Sequence, residues 1–97
     1  MTRSEILDTA KRIVTGERQN QYGDVEDNFK TIADFWSTYL GYPVTAVDVA
    51  VMMALLKIAR ISTGTATEDS FFDLAGYAAC GGEIATTVKE EGVKIHA

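Results

Sequence analysis

A chain of 97 residues makes one domain, and its net charge of −5 argues against binding DNA or RNA, whose phosphates call for clustered Lys and Arg. With 46% hydrophobic and 24% charged residues, it has the makeup of a folded protein rather than a disordered one. A single cysteine, Cys80, cannot form an internal disulfide, and no Cys/His set has zinc spacing.

The first twelve residues, MTRSEILDTAKR, lack the apolar core of a signal peptide, so a cytoplasmic protein is expected. Thr2 and Glu5 fit a capping box, and Ile6, Leu7, Ala10, Ile13 and Val14 follow at helical spacing. The spacing predicts a helix over 2–15, with Gly16 placed to stop it. Residues 17–23, ERQNQYG, are polar and read as a loop, whose Tyr22-Gly23 end suits closure over a ligand. Asp24 has the chemistry of an N-cap for a second helix over 24–40. Phe29, Ile32, Ala33, Trp36, Tyr39 and Leu40 line one face of it, and Gly41 and Pro43 end it.

Thr45 with Asp48 caps a third helix, 45–62, in which the only charges after the cap are Lys57 and Arg60. A helix apolar almost all round must be surrounded, and this one is too short and too charged to span a bilayer. It is expected to be the buried centre of the fold. STGTAT, 62–67, is a turn of small polar residues, and a fourth helix runs over 68–89 before a loose tail, 90–97. Three glycines in that helix, Gly76, Gly81 and Gly82, predict the close approach of another helix. No segment has the period-two pattern of a strand. The expectation is an all-α, four-helix bundle-like single domain that forms a homodimer or homotetramer through helix three or four.

Helical projection then separates cap residues from candidates for chemistry. Asp27, Lys30 and Asp34 fall on the solvent side of helix two, while Glu26 and Asn28 flank its apolar face. On helix four, Asp73 projects inward beside Tyr77, between Cys80 and Ile84, with Asp69 one turn earlier. A buried carboxylate needs a cation, a metal or several hydrogen bonds. Two carboxylates at i and i+4 suit a hard divalent cation; alternatively Asp69 caps the helix and Asp73 pairs with Lys57 or Arg60. Those two cations either clamp a phosphate or favour the negative end of their helix dipole.

Three blocks, ERQNQYGDVEDNF (17–29), ALLKIARI (54–61) and EDSFFDLAGYAA (68–79), resemble a family of small phage and prophage proteins of unassigned function. More distantly, the YG, K-x-x-R and D-x-x-x-D-x-x-x-Y arrangement is similar to nucleotide-modification-associated phage domains and to MazG-like all-α nucleoside triphosphate pyrophosphohydrolases. The resemblance implies a helical oligomer that uses Mg²⁺ to split a (deoxy)nucleoside triphosphate between its α- and β-phosphates. Under it Asp73 is the catalytic, metal-holding aspartate, with Asp69 and Glu26 as further metal ligands. Lys57 and Arg60 then clamp phosphates, and Tyr22 and Asn28 contact base or sugar. The paired glutamates those enzymes carry on the preceding helix have no counterpart here, where helix three offers only Asp48. The alternative is a non-catalytic helical oligomer that binds a nucleotide or a protein partner.

Overall fold

The computed structural model describes residues 1–17, 24–64 and 67–87, and these hold four α-helices and no strand. Helix α1 spans Arg3–Arg12, α2 Val25–Leu40, α3 Ala46–Ser62 and α4 Glu68–Thr87. Residues 18–23 of the expected loop 17–23, residues 65–66 of the turn 62–67, the end of helix four at 88–89 and the tail 90–97 lie outside the described residues.

The starts of α1, α2 and α3 are each set by a side chain that satisfies the helix's orphan N–H groups. Thr2 Oγ1 accepts from the Glu5 N–H at 3.1 Å while the Thr2 N–H donates to Glu5 Oε1 at 2.9 Å. Thr45 and Asp48 repeat that reciprocal box at 3.1 and 3.0 Å. Asp24 accepts from the Glu26 N–H at 3.2 Å. Gly41 closes α2 in the left-handed conformation, φ 66°, and its N–H donates to the Ser37 carbonyl. Ser37 does more than this: its hydroxyl accepts from the Val44 N–H at 2.8 Å and donates to the Val44 carbonyl at 3.2 Å. One side chain thus ties the chain on both sides of Pro43.

The end of the first helix differs from the expectation. Gly16 does not stop it in a left-handed turn; α1 continues into a π-helical turn over Ile13–Glu17 that includes Gly16. The wider turn keeps the chain helical to Glu17, and Val14 packs against the core.

Helices α3 and α4 form an antiparallel hairpin, and its register follows from their equal rise of about 1.5 Å per residue. Residues equally far from the connection meet. Lys57 is five residues before Ser62, and Asp73 is five after Glu68. Ala50 and Gly81 meet farther along, where a Cβ on Gly81 would stand 2.9 Å from that of Ala50. Gly76 gives the same closeness to α1, its missing Cβ 2.8 Å from Val14 Cγ1, whereas Gly82 meets nothing within 4 Å. Two of the three glycines therefore have the expected packing reason.

The core gathers Phe29, Ala33, Val47, Val49, Ala50, Cys80, Ile84 and Ala85, with Trp36, Met53 and Tyr77 packed against it. Helix α3 is not surrounded. Its inner face holds the buried Val47, Val49 and Ala50, but Val51, Met52, Leu55, Leu56 and Ile58 are exposed. The expectation of a helix buried on every side fails within one chain, because α2 and α4 cover only one side of it. Tyr39, 90% exposed, and Leu40 also leave the apolar face expected for α2, since that face turns away from the core before the helix ends. Phe72 is buried and Phe71, on a different face of α4, is exposed.

Candidate functional site

The hairpin register brings a cation and a carboxylate together on the facing sides of α3 and α4. Lys57 Nζ lies 3.0 Å from Asp73 Oδ2, and their side chains are only 18% and 22% exposed. Of the partners open to Asp73 in the sequence, the structure selects Lys57. Asp73 sits one turn before Tyr77, two before Cys80 and three before Ile84, on the face of α4 that forms the core. A carboxylate there without a counter-charge would carry a heavy desolvation cost, and the pair offsets it.

Nearer the connection, the same register sets Arg60, two residues before the end of α3, level with the first turn of α4 that carries Asp69. Both side chains are exposed. Asp69 lies in that first turn, where the helix dipole favours negative charge. Two cations and two carboxylates therefore occupy one end of the hairpin: a sheltered pair inside and a solvated set at the rim.

The remaining candidates come from α2. Phe29 is buried, and its ring centroid lies 6.3 Å from that of Tyr77, tilted by 36°, so the first turns of α2 rest on the middle of α4. Glu26 and Asn28, either side of Phe29 in this region, are half-buried, as expected of residues at the edge of a groove. Tyr22 lies outside the described residues. Tyr77 was not singled out for the site, yet it shares the inward face with Asp73. Its i+4 spacing from Asp73 was the available signal.

Among the described residues, no three His, Cys, Asp or Glu side chains converge as a metal cage. Magnesium seldom uses one; it is commonly held by one or two carboxylates together with the phosphates of its substrate. Asp73 and Asp69 are the two carboxylates of this region that could serve in that way, since Lys57 engages Asp73 Oδ2 and a carboxylate has two oxygens with which to accept. Asp48 does not add to it, because its carboxylate closes the capping box of α3 at the opposite end of that helix.

A separate cavity of about 350 Å³ opens between the end of α1 and the middle of α4, lined by Val14, Thr15, Val25, Ala79, Cys80 and Glu83. It includes none of Lys57, Arg60, Asp69 or Asp73, and its one carboxylate is Glu83. No described helix is long and apolar enough to cross a membrane.

Comparison with known proteins fits this picture of a small helical phage-type domain. Over 75 residues the chain is 47% identical to the Gene 55 protein of Mycobacterium phage D29, covering 77% of this chain and 50% of that protein. It is also 47% identical over 74 residues to the Gene 55 protein of Mycobacterium phage L5, covering 75% of this chain and 47% of that protein. The chain thus spans about half the length of these curated relatives. No solved structure matches it significantly. A family model described as Domain of unknown function (DUF6378) matches residues 5–85. The chain belongs to that family of unknown function, and both Gene 55 proteins it resembles are phage proteins.

Proposed function

We propose that this chain handles nucleotides, as a Mg²⁺-dependent (deoxy)nucleoside triphosphate pyrophosphohydrolase-like domain of a phage-type protein. The observation that carries the reading is the sheltered Lys57–Asp73 pair, with Arg60 and Asp69 at its open rim. A triphosphate with its metal ion offers each partner a replacement: anionic phosphate for Lys57 and a cation for Asp73. The pair therefore keeps two charges available in a setting where neither stands alone.

Asp73 and Asp69 would hold the ion, and Glu26 is the third carboxylate proposed from α2. When bound, magnesium neutralises phosphate charge and acidifies water. Lys57 contributes a point charge, and Arg60 a planar fork matched to phosphate oxygens. Asn28, on the edge of α2, and Tyr22 are proposed to meet base or sugar. A cytoplasmic setting belongs to the same proposal.

One observation favours a second reading. Helix α3 carries no pair of glutamates, and its Asp48 is committed to the cap. A protein that binds a nucleotide without cleaving it would keep the cations and lack those groups.

A pyrophosphate-release assay over the common nucleoside and deoxynucleoside triphosphates, with and without Mg²⁺, tests the proposal. Release by the wild type that Asp73→Asn abolishes, with folding retained, supports the enzyme. Binding without release supports the second reading, and neither binding nor release rejects both.

A further inference from the structure

The outer face of α3 is the second unusual feature of the chain, and it is independent of the nucleotide reading. Val51, Leu55 and Ile58 recur at i, i+4 and i+7, with Met52, Leu56 and Ala59 beside them at the same spacing. All six are exposed, and no charged side chain lies on this face between Asp48 and Arg60. Two adjacent apolar rows of this kind are the pattern of a helix packed on another helix. Scattered exposed apolar residues are ordinary; a contiguous charge-free face is not.

Among the described residues, large apolar side chains are more often exposed than fully buried, with others half-buried between. Phe29, Val47, Val49, Phe72 and Ile84 are buried, whereas twelve are exposed, five of them on this face of α3. Ala10, Ala33, Ala50, Ala85 and Cys80 make up the rest of the buried hydrophobic set. A chain this short has a small core to begin with, and self-association is a common way to enlarge one.

From this we infer that the outer face of α3 is a homodimer interface, in which α3 of one protomer crosses antiparallel over α3 of its partner with Leu55 near the twofold axis. An isologous contact needs a patch complementary to itself. Helix α3 provides that, because an antiparallel crossing sets its Asp48 end against its Arg60 end while the apolar rows meet between them. A standard interface covers about 800 Å² on each partner, around a centre depleted of charge. One helix face supplies the centre. The exposed Phe35, Tyr39, Leu40 and Tyr42, one short loop away at the end of α2, extend the apolar surface available around it. Obligate homodimer interfaces have this core-like composition, whereas a transient partner site is more polar.

Sedimentation equilibrium of the full chain, with oxidative cross-linking of Leu55→Cys, tests the inference. The wild type is expected at twice the chain mass or a larger even multiple. Leu55→Glu is expected to raise the dimer dissociation constant by roughly 100-fold, as a charge placed in a desolvated interface centre should. Leu55→Cys should cross-link copies in pairs, while Asp27→Cys, on the solvent side of α2, should not. A folded monomeric wild type overturns the inference. So does an oligomer that Leu55→Cys fails to cross-link and a folded Leu55→Glu leaves intact. Nucleotide assays do not enter these readouts, so either proposal can fail without the other.

Discussion

Lys57 Nζ and Asp73 Oδ2 stand 3.0 Å apart because each is five residues from the inner end of its helix, on facing sides of one hairpin. The contact is sheltered but not dry. That places its strength between an exposed pair, at about 0–1 kcal/mol, and a buried one, whose disruption costs about 3–5 kcal/mol. Asp73→Asn and Lys57→Met are each expected to destabilise the fold by about 1–2 kcal/mol. The double variant Lys57→Met with Asp73→Asn should recover most of that, since it leaves no charge unpaired. Urea unfolding of the four proteins gives the cycle. A double variant as unstable as the sum of the single ones would show that the two side chains act separately.

The glycines of α4 give three different outcomes for one substitution. Gly81→Ala sets two Cβ atoms 2.9 Å apart with neither able to rotate away, and should cost about 1–3 kcal/mol despite the better helix former. At Gly76 the obstacle is a side-chain methyl of Val14, so the loss should be smaller. Gly82→Ala meets open space and should stabilise by about 0.5–1 kcal/mol. Thermal melts that rank the three otherwise would contradict the α3–α4 register.

Ser37 closes the α2–α3 connection through two hydrogen bonds to Val44. Ser37→Ala leaves the Val44 N–H without that acceptor and should cost about 1–2 kcal/mol. Hydrogen exchange at the Val44 amide should speed up, and unchanged exchange would show that the hydroxyl does not secure the turn.

At the N-terminus, the Thr2 backbone N–H and then its hydroxyl hold the Glu5 carboxyl below the usual carboxylate range. A depressed carboxyl pKa favours folding above its unfolded value, and the contribution is lost as pH falls through the folded value. Capping by Glu5 should therefore weaken only on the acid side. An NMR titration of Glu5 should show a midpoint below that of a glutamate in an unfolded peptide. The midpoint should move back toward that value in Thr2→Pro, which removes both the donor N–H and the hydroxyl.

Much of the fold was legible in the residues. The Thr2–Glu5 and Thr45–Asp48 boxes, Asp24 and Gly41 act locally, so their chemistry marks helix ends without tertiary knowledge. Asp73 was legible as an inward carboxylate because α4 has a clear inner face, and Lys57 and Arg60 as its two possible partners, between which the structure decides for Lys57. Gly16 misled, since a glycine can terminate a helix or lie within a wider turn, and only packing decides. Helix α3 misled in a more useful way. Its composition signals burial all round, but a pattern within one chain does not say which chain supplies the cover. The placement of Glu26 and Asn28 at a groove edge followed from projection, whereas a ligand's chemistry depends on groups converging from several elements, which periodicity does not encode.

Isothermal titration with a non-hydrolysable nucleoside triphosphate in Mg²⁺ tests the central claim most directly. The account predicts saturable binding to the wild type, about tenfold or more weaker in Lys57→Met, where a charge-assisted phosphate contact is lost. In Asp73→Asn the dependence on Mg²⁺ should be lost. A folded wild-type protein that gives no saturable heat with any common triphosphate would contradict it.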